Sequence, residues 1–409
     1  MSFPDDHHRI AGAGARRVLV AGATERFGGI TGLLLARGHA VRAATRDPAR
    51  PATARLAALG ADLVRADFED PASLAAAARG MDAVFASGTA HKAGPGGEQR
   101  HGQNLADALV TAGAPHLVFV SGAGADSRTG LPLFDAKWAV ERRISELRLP
   151  ATVIAPVYLM ENLFNPWNLA ALRAGVLPSP VPPALPLQQV ATQDILTLAV
   201  LAIERPDVLT GERIEVASDA PTAEAAAAEL SGLLGREFTP RHPGADVPAG
   251  LAALFSWLEH HPSPVDTSAL HGRFPGIGWH RFGEWARQQR AKLAEASGTA
   301  SMSASPRAQR ACRLRRARSA LLPGRPPRQV RDPRHDRRAV RAHAGPGGHR
   351  RTRMAAVLQH QRHQALARAL PARPQTPGAA GMNAMPGGRF RRIAACRGAG
   401  HGLRTRGHK

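Results

Sequence analysis

A chain of 409 residues, of which 44% are hydrophobic, is long enough to bury the core of one large α/β domain or of two ordinary domains. Its two cysteines, Cys312 and Cys396, lie near the carboxyl end, so the first 300 residues can form no disulfide and bind no metal through sulfur. The opening residues, MSFPDDHHRI, lack the basic and apolar regions of a signal peptide, and no apolar run approaches the roughly 20 residues that span a bilayer. We therefore expect a cytoplasmic protein with no membrane segment and no metal site.

The positive charge of the chain is concentrated in its last part. The net charge is +22, but residues 301–409 hold 26 of the 54 Lys and Arg residues and only two acidic residues, Asp332 and Asp336. The first 300 residues carry 28 basic and 30 acidic side chains and are close to neutral. Attraction to nucleic acid is therefore expected only from the tail, and without sequence specificity.

Short apolar runs alternate with helix-sized segments through the first 160 residues. Each run is mostly apolar on both faces, as buried parallel strands require; the runs are RVLVAG, HAVRAATR, ADLVRADF, MDAVFAS, HLVFVSG and ATVIAP. Asp70 and Pro71 offer an N-cap and a first-turn proline to one of the helices, and Gly80 ends it. This order predicts a doubly wound parallel-sheet Rossmann domain of the α/β class over residues 17–160, after a flexible segment, residues 1–16.

A proline-rich stretch separates this domain from a second pattern. Residues 177–187, LPSPVPPALPL, contain too many prolines for a helix or an inner strand, so we expect an extended loop. Around and beyond it, helix-like and strand-like segments alternate without a strict order, among them DILTLAVLAIERP and ERIEVAS. We predict a smaller, mixed α/β lobe over residues 161–298 that completes one domain and holds a substrate or a partner.

The last segment, residues 299–409, is dominated by Arg, Ala, Pro, Gly and His and has one aromatic residue, Phe390. Such a composition cannot bury enough apolar surface to offset the loss of chain entropy, so we expect a disordered basic tail. Its 25 arginines could attract phosphates non-specifically. The interpretation that we favour is an out-of-frame product of GC-rich DNA, which would give this mixture without selection for structure.

A glycine-rich turn follows the first predicted strand. Gly22 and Gly28 match the outer glycines of a G-x-x-G-x-x-G dinucleotide fingerprint, Gly22 for a tight turn and Gly28 for close packing of helix on strand. Between them stands Glu25, where the backbone of such a turn approaches a pyrophosphate, and its bulk and negative charge oppose a phosphate there. The turn predicts a dinucleotide site with a weakened hold on the phosphates.

Two arginines, Arg46 and Arg50, follow the second predicted strand. In a doubly wound fold this strand end meets the adenosine ribose, where arginines suit the 2′-phosphate of NADP and an acidic residue suits the hydroxyl of NAD. The alternative is a solvated charge cluster at the start of the next helix. We expect NADP(H) to be preferred over NAD(H).

Several segments resemble, in order and spacing, the NmrA-like family of atypical short-chain dehydrogenases/reductases over residues 16–298. They are VLVAGATERFGG, HAVRAATRDP, GADLVRADFEDPASLAAAARGMDAVF, APHLVFVSGAG, PATVIAPVYLMEN and GERIEVASD. The resemblance implies an NAD(P)-binding fold and the following positions near the cofactor: Gly22, Ala23, Thr24, Glu25, Arg26, Phe27 and Gly28 at the pyrophosphate, Arg46 and Arg50 at the 2′-phosphate, Asp67 and Phe68 at adenine, Ser87 and Gly88 at the ribose, and Lys137, Leu159, Met160, Glu161 and Asn162 at nicotinamide.

The tyrosine of the Tyr-x-x-x-Lys pair, with which short-chain reductases protonate a carbonyl, is missing. Leu133 stands four residues before Lys137, and the one tyrosine of the chain, Tyr158, follows 21 residues after it. Lys137 is a candidate for binding the nicotinamide ribose, or a solvent-facing helix lysine. Ser121, at the end of the fifth predicted strand, is a candidate for polarising the substrate, or the cap of a turn.

Hydride transfer to a quinone needs less acid catalysis than reduction of a simple ketone, so it tolerates the missing tyrosine better. We therefore expect an NADPH-dependent oxidoreductase that acts on a small-molecule acceptor of the quinone type. The alternative is a non-catalytic NADP(H) redox sensor that acts through a regulatory protein partner, which Glu25 and the missing tyrosine favour.

Overall fold

The apolar runs become the strands of one parallel sheet. The computed structural model describes residues 14–242, 250–261 and 265–299 together with Arg391–Arg392 of the tail. The strands of the sheet, in the order in which they lie side by side, are β12 (Arg391–Arg392), β10 (Glu212–Val216), β6 (Ala151–Pro156), β5 (His116–Val120), β4 (Ala83–Ser87), β1 (Arg17–Ala21), β2 (Ala40–Thr45) and β3 (Asp62–Arg65). Every neighbouring pair is parallel, and all six strands predicted for the first domain are confirmed.

Helices fill the connections between these strands. Within the described residues they are α1 (Ile30–Ala36), α2 (Pro51–Ala58), α3 (Pro71–Ala78), α4 (Ala90–Thr111), α5 (Pro132–Glu146), α6 (Pro166–Arg173), α7 (Thr192–Glu204), α8 (Pro206–Leu209), α9 (Ala223–Leu234), α10 (Ala252–His260), α11 (Thr267–Arg273), α12 (Phe282–Gln288) and α13 (Arg290–Ala296). Helix α4 is kinked at Gly94, which has a positive φ and precedes Pro95. The N-cap predicted at Asp70 is confirmed, since its carboxylate accepts hydrogen bonds from the first turn of α3.

Each inner strand faces two apolar layers. On β1, Val18 and Val20 point into a core formed with α1 and α7, whereas Leu19 points into a second core formed with α3, α4 and α5. Successive side chains of a strand point to opposite faces, so a strand that is covered on both sides must be apolar at every position. The two cores confirm a doubly wound sheet.

The smaller lobe has a third apolar core, to which α6, α9, α12 and α13 contribute. Trp285 of α12 is its largest fully buried side chain. Two-stranded pairs complete the lobe and its junction with the sheet: β8 (Val176–Pro178) with β11 (Thr239–Arg241), and β7 (Tyr158–Leu159) with β9 (Gln189–Val190).

The chain crosses between sheet and lobe more than once. The segment ERIEVAS, assigned from the sequence to the lobe, forms β10 and joins the main sheet beside β6, with Ile214 opposite Ile154. Helix α7, formed by the segment DILTLAVLAIERP that was also assigned to the lobe, packs its buried face on α1 and the sheet. The sheet and the lobe are therefore not divided by a single boundary at residue 160. The sequence could not show this, because the pattern of a strand does not reveal which strand it pairs with.

Two predictions concern residues that the structure leaves largely undescribed. The flexible amino-terminal segment falls mainly on residues 1–13, and the disordered tail falls on residues 300–409, of which only Arg391–Arg392 are described. In the described part of the chain, every helix is too short or too polar to cross a membrane.

Candidate functional site

A cleft of about 1770 Å³ runs along the sheet edge at which the parallel strands end. We call it the central cleft. Loops that follow β1, β2, β4, β5 and β6 contribute to its walls, and its apolar extension is lined by α10. The carboxyl edge of a doubly wound sheet is the usual place for a ligand, since the loops there diverge around the point at which the strand order reverses.

The glycine turn after β1 forms one wall of the central cleft. Its backbone makes two successive tight turns, because Glu25 N donates to Gly22 O (2.9 Å) and Gly28 N donates to Glu25 O (2.9 Å). A Cβ atom on Gly28 would overlap the carbonyl oxygen of Ala23, so no other residue fits there without moving the turn. The missing Cβ thus serves the tight turn itself, whereas the predicted role of Gly28 in packing helix on strand stays a prediction.

The Glu25 side chain lies in the central cleft. Its Cγ atom is 3.4 Å from the position that a Cβ on Gly22 would take, so the side chain folds back over the start of the turn. Helix α1 begins only at Ile30 and has Gly29 as its N-cap. Glu25 therefore lies outside the first turn of that helix and on the ligand side of the loop.

Arg26 reaches across the central cleft to the segment after β7. Its Nη1 donates to Asn162 Oδ1 (3.1 Å) and its Nη2 donates to Asn165 Oδ1 (3.0 Å). The two acceptors are neutral amides, so neither bond neutralises the guanidinium charge. A positive charge is thus held between the glycine turn and the lobe.

The opposite end of the central cleft contains Arg46, Asp67 and Phe68. The exposed guanidinium of Arg46 makes no hydrogen bond or ion pair with the described residues, whereas Arg50 lies at the start of α2 and outside the cleft wall. Phe68 stacks on His101 with ring centroids 5.6 Å apart. An aromatic ring and an exposed cation thus line the same cleft after β2 and β3.

Lys137 points into the centre of the central cleft and is held by a carboxylate that the sequence analysis missed. Its Nζ lies 2.6 Å from Oε1 of Glu98 on α4, and the two side chains are 15% and 1% exposed. Lys137 is therefore not a solvent-facing helix lysine. Its partner is 39 residues away in the sequence, and no local pattern links the two positions.

Ser121 also has a buried carboxylate as its partner. Its hydroxyl donates a short hydrogen bond to Glu141, one turn after Lys137 on α5. Burial raises the pKa of Glu141, and the guanidinium of Arg213, whose Nε is 2.8 Å from Glu141 Oε2, opposes that rise. The hydroxyl proton of Ser121 is thus directed away from the central cleft.

The segment after β6 sends its side chains in different directions. Tyr158, Leu159 and Asn162 line the central cleft, whereas Met160 is 1% exposed and packs in the core of the lobe. Glu161 lines the cleft but accepts hydrogen bonds from Thr192 N and from the Trp285 indole, so it also ties the segment to the lobe. Met160 is thus placed where it would not contact a ligand in the cleft.

Tyr158 is the one phenol in the chain, and burial raises its pKa to about 12. The charged side chain that acts against this rise is Arg26. The phenol therefore stays protonated near neutral pH and is not paired with the lysine as in Tyr-x-x-x-Lys.

An aromatic wall lines the extension of the central cleft beyond Lys137. Phe134 meets Trp257 of α10 edge to face with centroids 5.2 Å apart, and Trp257 stacks on His261 at 5.0 Å. Nothing in the sequence distinguishes these residues as part of a cleft, because aromatic side chains at helical spacing are typical of a core.

The central cleft thus collects most of the predicted site residues. Those that line it are Glu25, Arg26, Phe27, Arg46, Asp67, Phe68, Ser87, Gly88, Ser121, Lys137, Leu159, Glu161 and Asn162. Those that do not are Gly22, Ala23, Thr24 and Gly28 of the turn backbone, Arg50, and Met160.

Comparison with known proteins identifies one family. The profile of the NmrA-like family matches residues 14–245, more than half of the chain. An NmrA-like family domain-containing oxidoreductase of Aspergillus hancockii is 38% identical over 117 residues, which are 27% of this chain and 35% of that protein, so only about a third of that relative is matched. A (4-alkanoyl-5-oxo-2,5-dihydrofuran-3-yl)methyl phosphate reductase of Streptomyces griseus is 28% identical over 254 residues, 62% of this chain and 84% of that protein.

Solved structures show the same fold at low sequence identity. NmrA, a negative transcriptional regulator, in complex with NADP superposes with a TM-score of 0.57 and 22% identity over 69% of this chain and 98% of that one. Its complex with NAD gives a TM-score of 0.56, with 21% identity over the same shares of the two chains. The NADPH-dependent quinone oxidoreductase of Escherichia coli, complexed with NADPH, gives a TM-score of 0.51 with 21% identity over 70% of this chain and 100% of that one.

Proposed function

The chain belongs to the NmrA-like family, and from that premise we propose that it binds NADP(H) in the central cleft and reduces an acceptor of the quinone type. The observation that carries the proposal is the cleft along the carboxyl edge of the sheet, with the exposed Arg46 after β2 and the Lys137 ammonium beside β4 and β5. These positions suit the two ends of a dinucleotide that lies across the strand ends.

The residues of the central cleft fit this cofactor at most positions. Because Gly28 has no Cβ, the turn can close tightly, and a diphosphate could lie above it. Arg46 offers a guanidinium to a 2′-phosphate, which favours NADP(H) over NAD(H). Glu25 is the position that fits poorly, because a carboxylate beside a diphosphate costs electrostatic energy.

When bound, NADPH supplies a hydride to the acceptor. The protein's part is to hold the two reactants together, exclude water and offer a proton. Lys137 Nζ would offer N–H donors to the nicotinamide ribose and to an acceptor oxygen, and the aromatic wall that contains Phe134 and Trp257 suits an apolar acceptor ring. The names of the Streptomyces and Escherichia coli relatives, both reductases, support hydride transfer.

A second candidate function is a redox sensor that binds NADP(H) and acts through a protein partner. The observation that favours it is the direction of the Ser121 hydroxyl, which donates to Glu141 and so does not polarise a substrate. The structural likeness to a negative transcriptional regulator is consistent with this candidate.

Turnover separates the two functions. The full-length chain is incubated with NADPH and para-benzoquinone, and loss of the nicotinamide absorbance is followed beside a titration of NADPH binding. We expect saturable turnover that Lys137→Met reduces about tenfold or more. NADPH binding without turnover on a panel of quinones would support the sensor, and absence of NADPH binding would contradict both functions.

A further inference from the structure

The Lys137 side chain passes through a slot between two strand ends. A Cβ on Gly122, after β5, would lie 3.2 Å from Lys137 Cδ, and a Cβ on Gly88, after β4, would lie 2.8 Å from its Nζ. Any larger residue at either position would therefore crowd the lysine. The two glycines thus leave room for the side chain to run from α5 to the centre of the central cleft.

Glu98 closes the end of this slot. A Cβ on Gly88 would overlap Glu98 Oε1, so the carboxylate lies directly against the end of β4. Its Oε1 accepts from Lys137 Nζ at 2.6 Å. Helices α4 and α5 approach closely enough to bring the pair together because Gly102 lies against Val140, where a Cβ would overlap the valine side chain.

A buried ion pair of this kind contributes little net stability, so a purely structural role explains it poorly. Removing two charges from water costs about as much as their attraction returns, and an apolar pair of the same size often gives equal or greater stability. The pair also lies in the wall of a ligand cleft, where an ammonium with a fixed direction has a use. One of its three N–H groups is committed to Glu98.

We propose that Glu98 is a positioning residue, whose carboxylate fixes the Lys137 ammonium in the centre of the central cleft, where the nicotinamide ribose would lie. The inference rests on the proposed function, since it assigns Glu98 a part in holding NADP(H) through Lys137. Glu98 itself is not a catalytic residue here, because it acts on the ligand only through the lysine.

A double-mutant cycle on the full-length chain tests this proposal. The variants are Glu98→Gln, Lys137→Met and the combination of both, each measured for its NADPH dissociation constant and for kcat and KM with para-benzoquinone. The matched control is Glu204→Gln, which removes another buried carboxylate, paired with Arg37 (2.7 Å) and His39 (3.1 Å) away from the central cleft. Thermal unfolding of every variant separates misfolding from a local effect.

We expect Glu98→Gln and Lys137→Met each to weaken NADPH binding about tenfold, and the combination to be no weaker than Lys137→Met alone. Glu98→Gln should lower kcat and leave the KM for the quinone within about twofold. Glu204→Gln should lower the unfolding temperature and leave NADPH binding unchanged.

Two results would overturn the assignment of Glu98. One is NADPH binding by Glu98→Gln that equals that of the wild type, and the other is a combined loss that equals the product of the single losses. Either result leaves the proposed function standing, because the wild type still binds NADPH. A wild type that does not bind NADPH overturns the proposed function, and the role of Glu98 with it.

Discussion

At the scale of single residues, two arginines that the sequence does not distinguish occupy different places. Arg46 lines the central cleft, whereas Arg50 is exposed outside it at the start of α2. We predict that Arg46→Gln weakens NADPH binding about 10- to 100-fold and changes NADH binding little, because a charge-assisted hydrogen bond to the 2′-phosphate is lost. Arg50→Gln is the matched control and should bind both cofactors as the wild type does. Equal losses for NADPH and NADH in Arg46→Gln would contradict a 2′-phosphate site, and both are measured by titration.

Glu25 provides a second prediction at this scale. Glu25→Gly should tighten NADPH binding by about 1–3 kcal/mol, because both the bulk and the negative charge beside the diphosphate are removed. Glu25→Gln keeps the bulk and removes the charge, so an intermediate affinity in the same titration would assign part of the effect to each. Unchanged affinity in both variants would mean that the carboxylate points away from the bound phosphates.

At the scale of elements, the turn between β1 and α1 depends on one missing Cβ atom. Gly28→Ala should lower the free energy of unfolding by about 1–3 kcal/mol, because the new methyl group overlaps the carbonyl of Ala23. Gly32→Ala is the matched control in α1 itself, where a Cβ meets only Leu59 at 4.0 Å, and it should be neutral or stabilising by up to about 1 kcal/mol. Denaturant titration of both variants measures this, and equal effects would contradict the close approach.

A histidine at the junction between α7 and α12 makes the free energy of unfolding depend on pH. His280 Nδ1 lies 2.5 Å from the buried carboxylate of Asp194, which raises the pKa of His280 above its ordinary value of 6.5. A raised pKa stabilises the fold fully below about pH 6.5, and that contribution is lost as the pH rises through the folded-state pKa. His280→Gln should therefore cost more unfolding free energy at about pH 6 than at about pH 9 in denaturant titrations. A cost that is the same at both values would show that the imidazole is neutral throughout.

At the scale of the whole molecule, the basic tail differs in charge from the rest of the chain, since residues 301–409 hold 26 of the 54 Lys and Arg residues and only two acidic residues. The tail meets the described sheet through the two-residue pairing of β12 with β10. We predict that a chain ending at residue 300 binds NADPH within about twofold of the full chain. We also predict that it shows none of the non-specific, salt-sensitive attraction to duplex DNA that is expected of the 25 tail arginines. Titration of both chains with NADPH and with DNA at two salt concentrations measures this, and loss of NADPH binding on truncation would contradict the prediction.

How much the sequence predicts also depends on scale. Buried parallel strands leave continuous apolar runs, so β1 to β6 could be placed from the sequence, and so could the turn around Gly28. The partner of β10 could not be placed, nor could the pairing of Glu98 with Lys137, because both depend on contacts between segments that are distant in the chain. The inward turn of Met160 is another such case, since its neighbours on both sides line the central cleft.

The return of the chain to the sheet at β10 has a consequence for how the protein folds. Strand β10 pairs with β6 although α6, β8, β9 and α7 lie between them in the chain, so the sheet is completed by contacts of large sequence separation. Such contacts slow folding, because the entropy of loop closure is lost before the pairing compensates for it. Cutting the chain between β6 and α7 would leave each fragment with an incomplete core, so we expect limited proteolysis there to unfold sheet and lobe together rather than release two stable fragments.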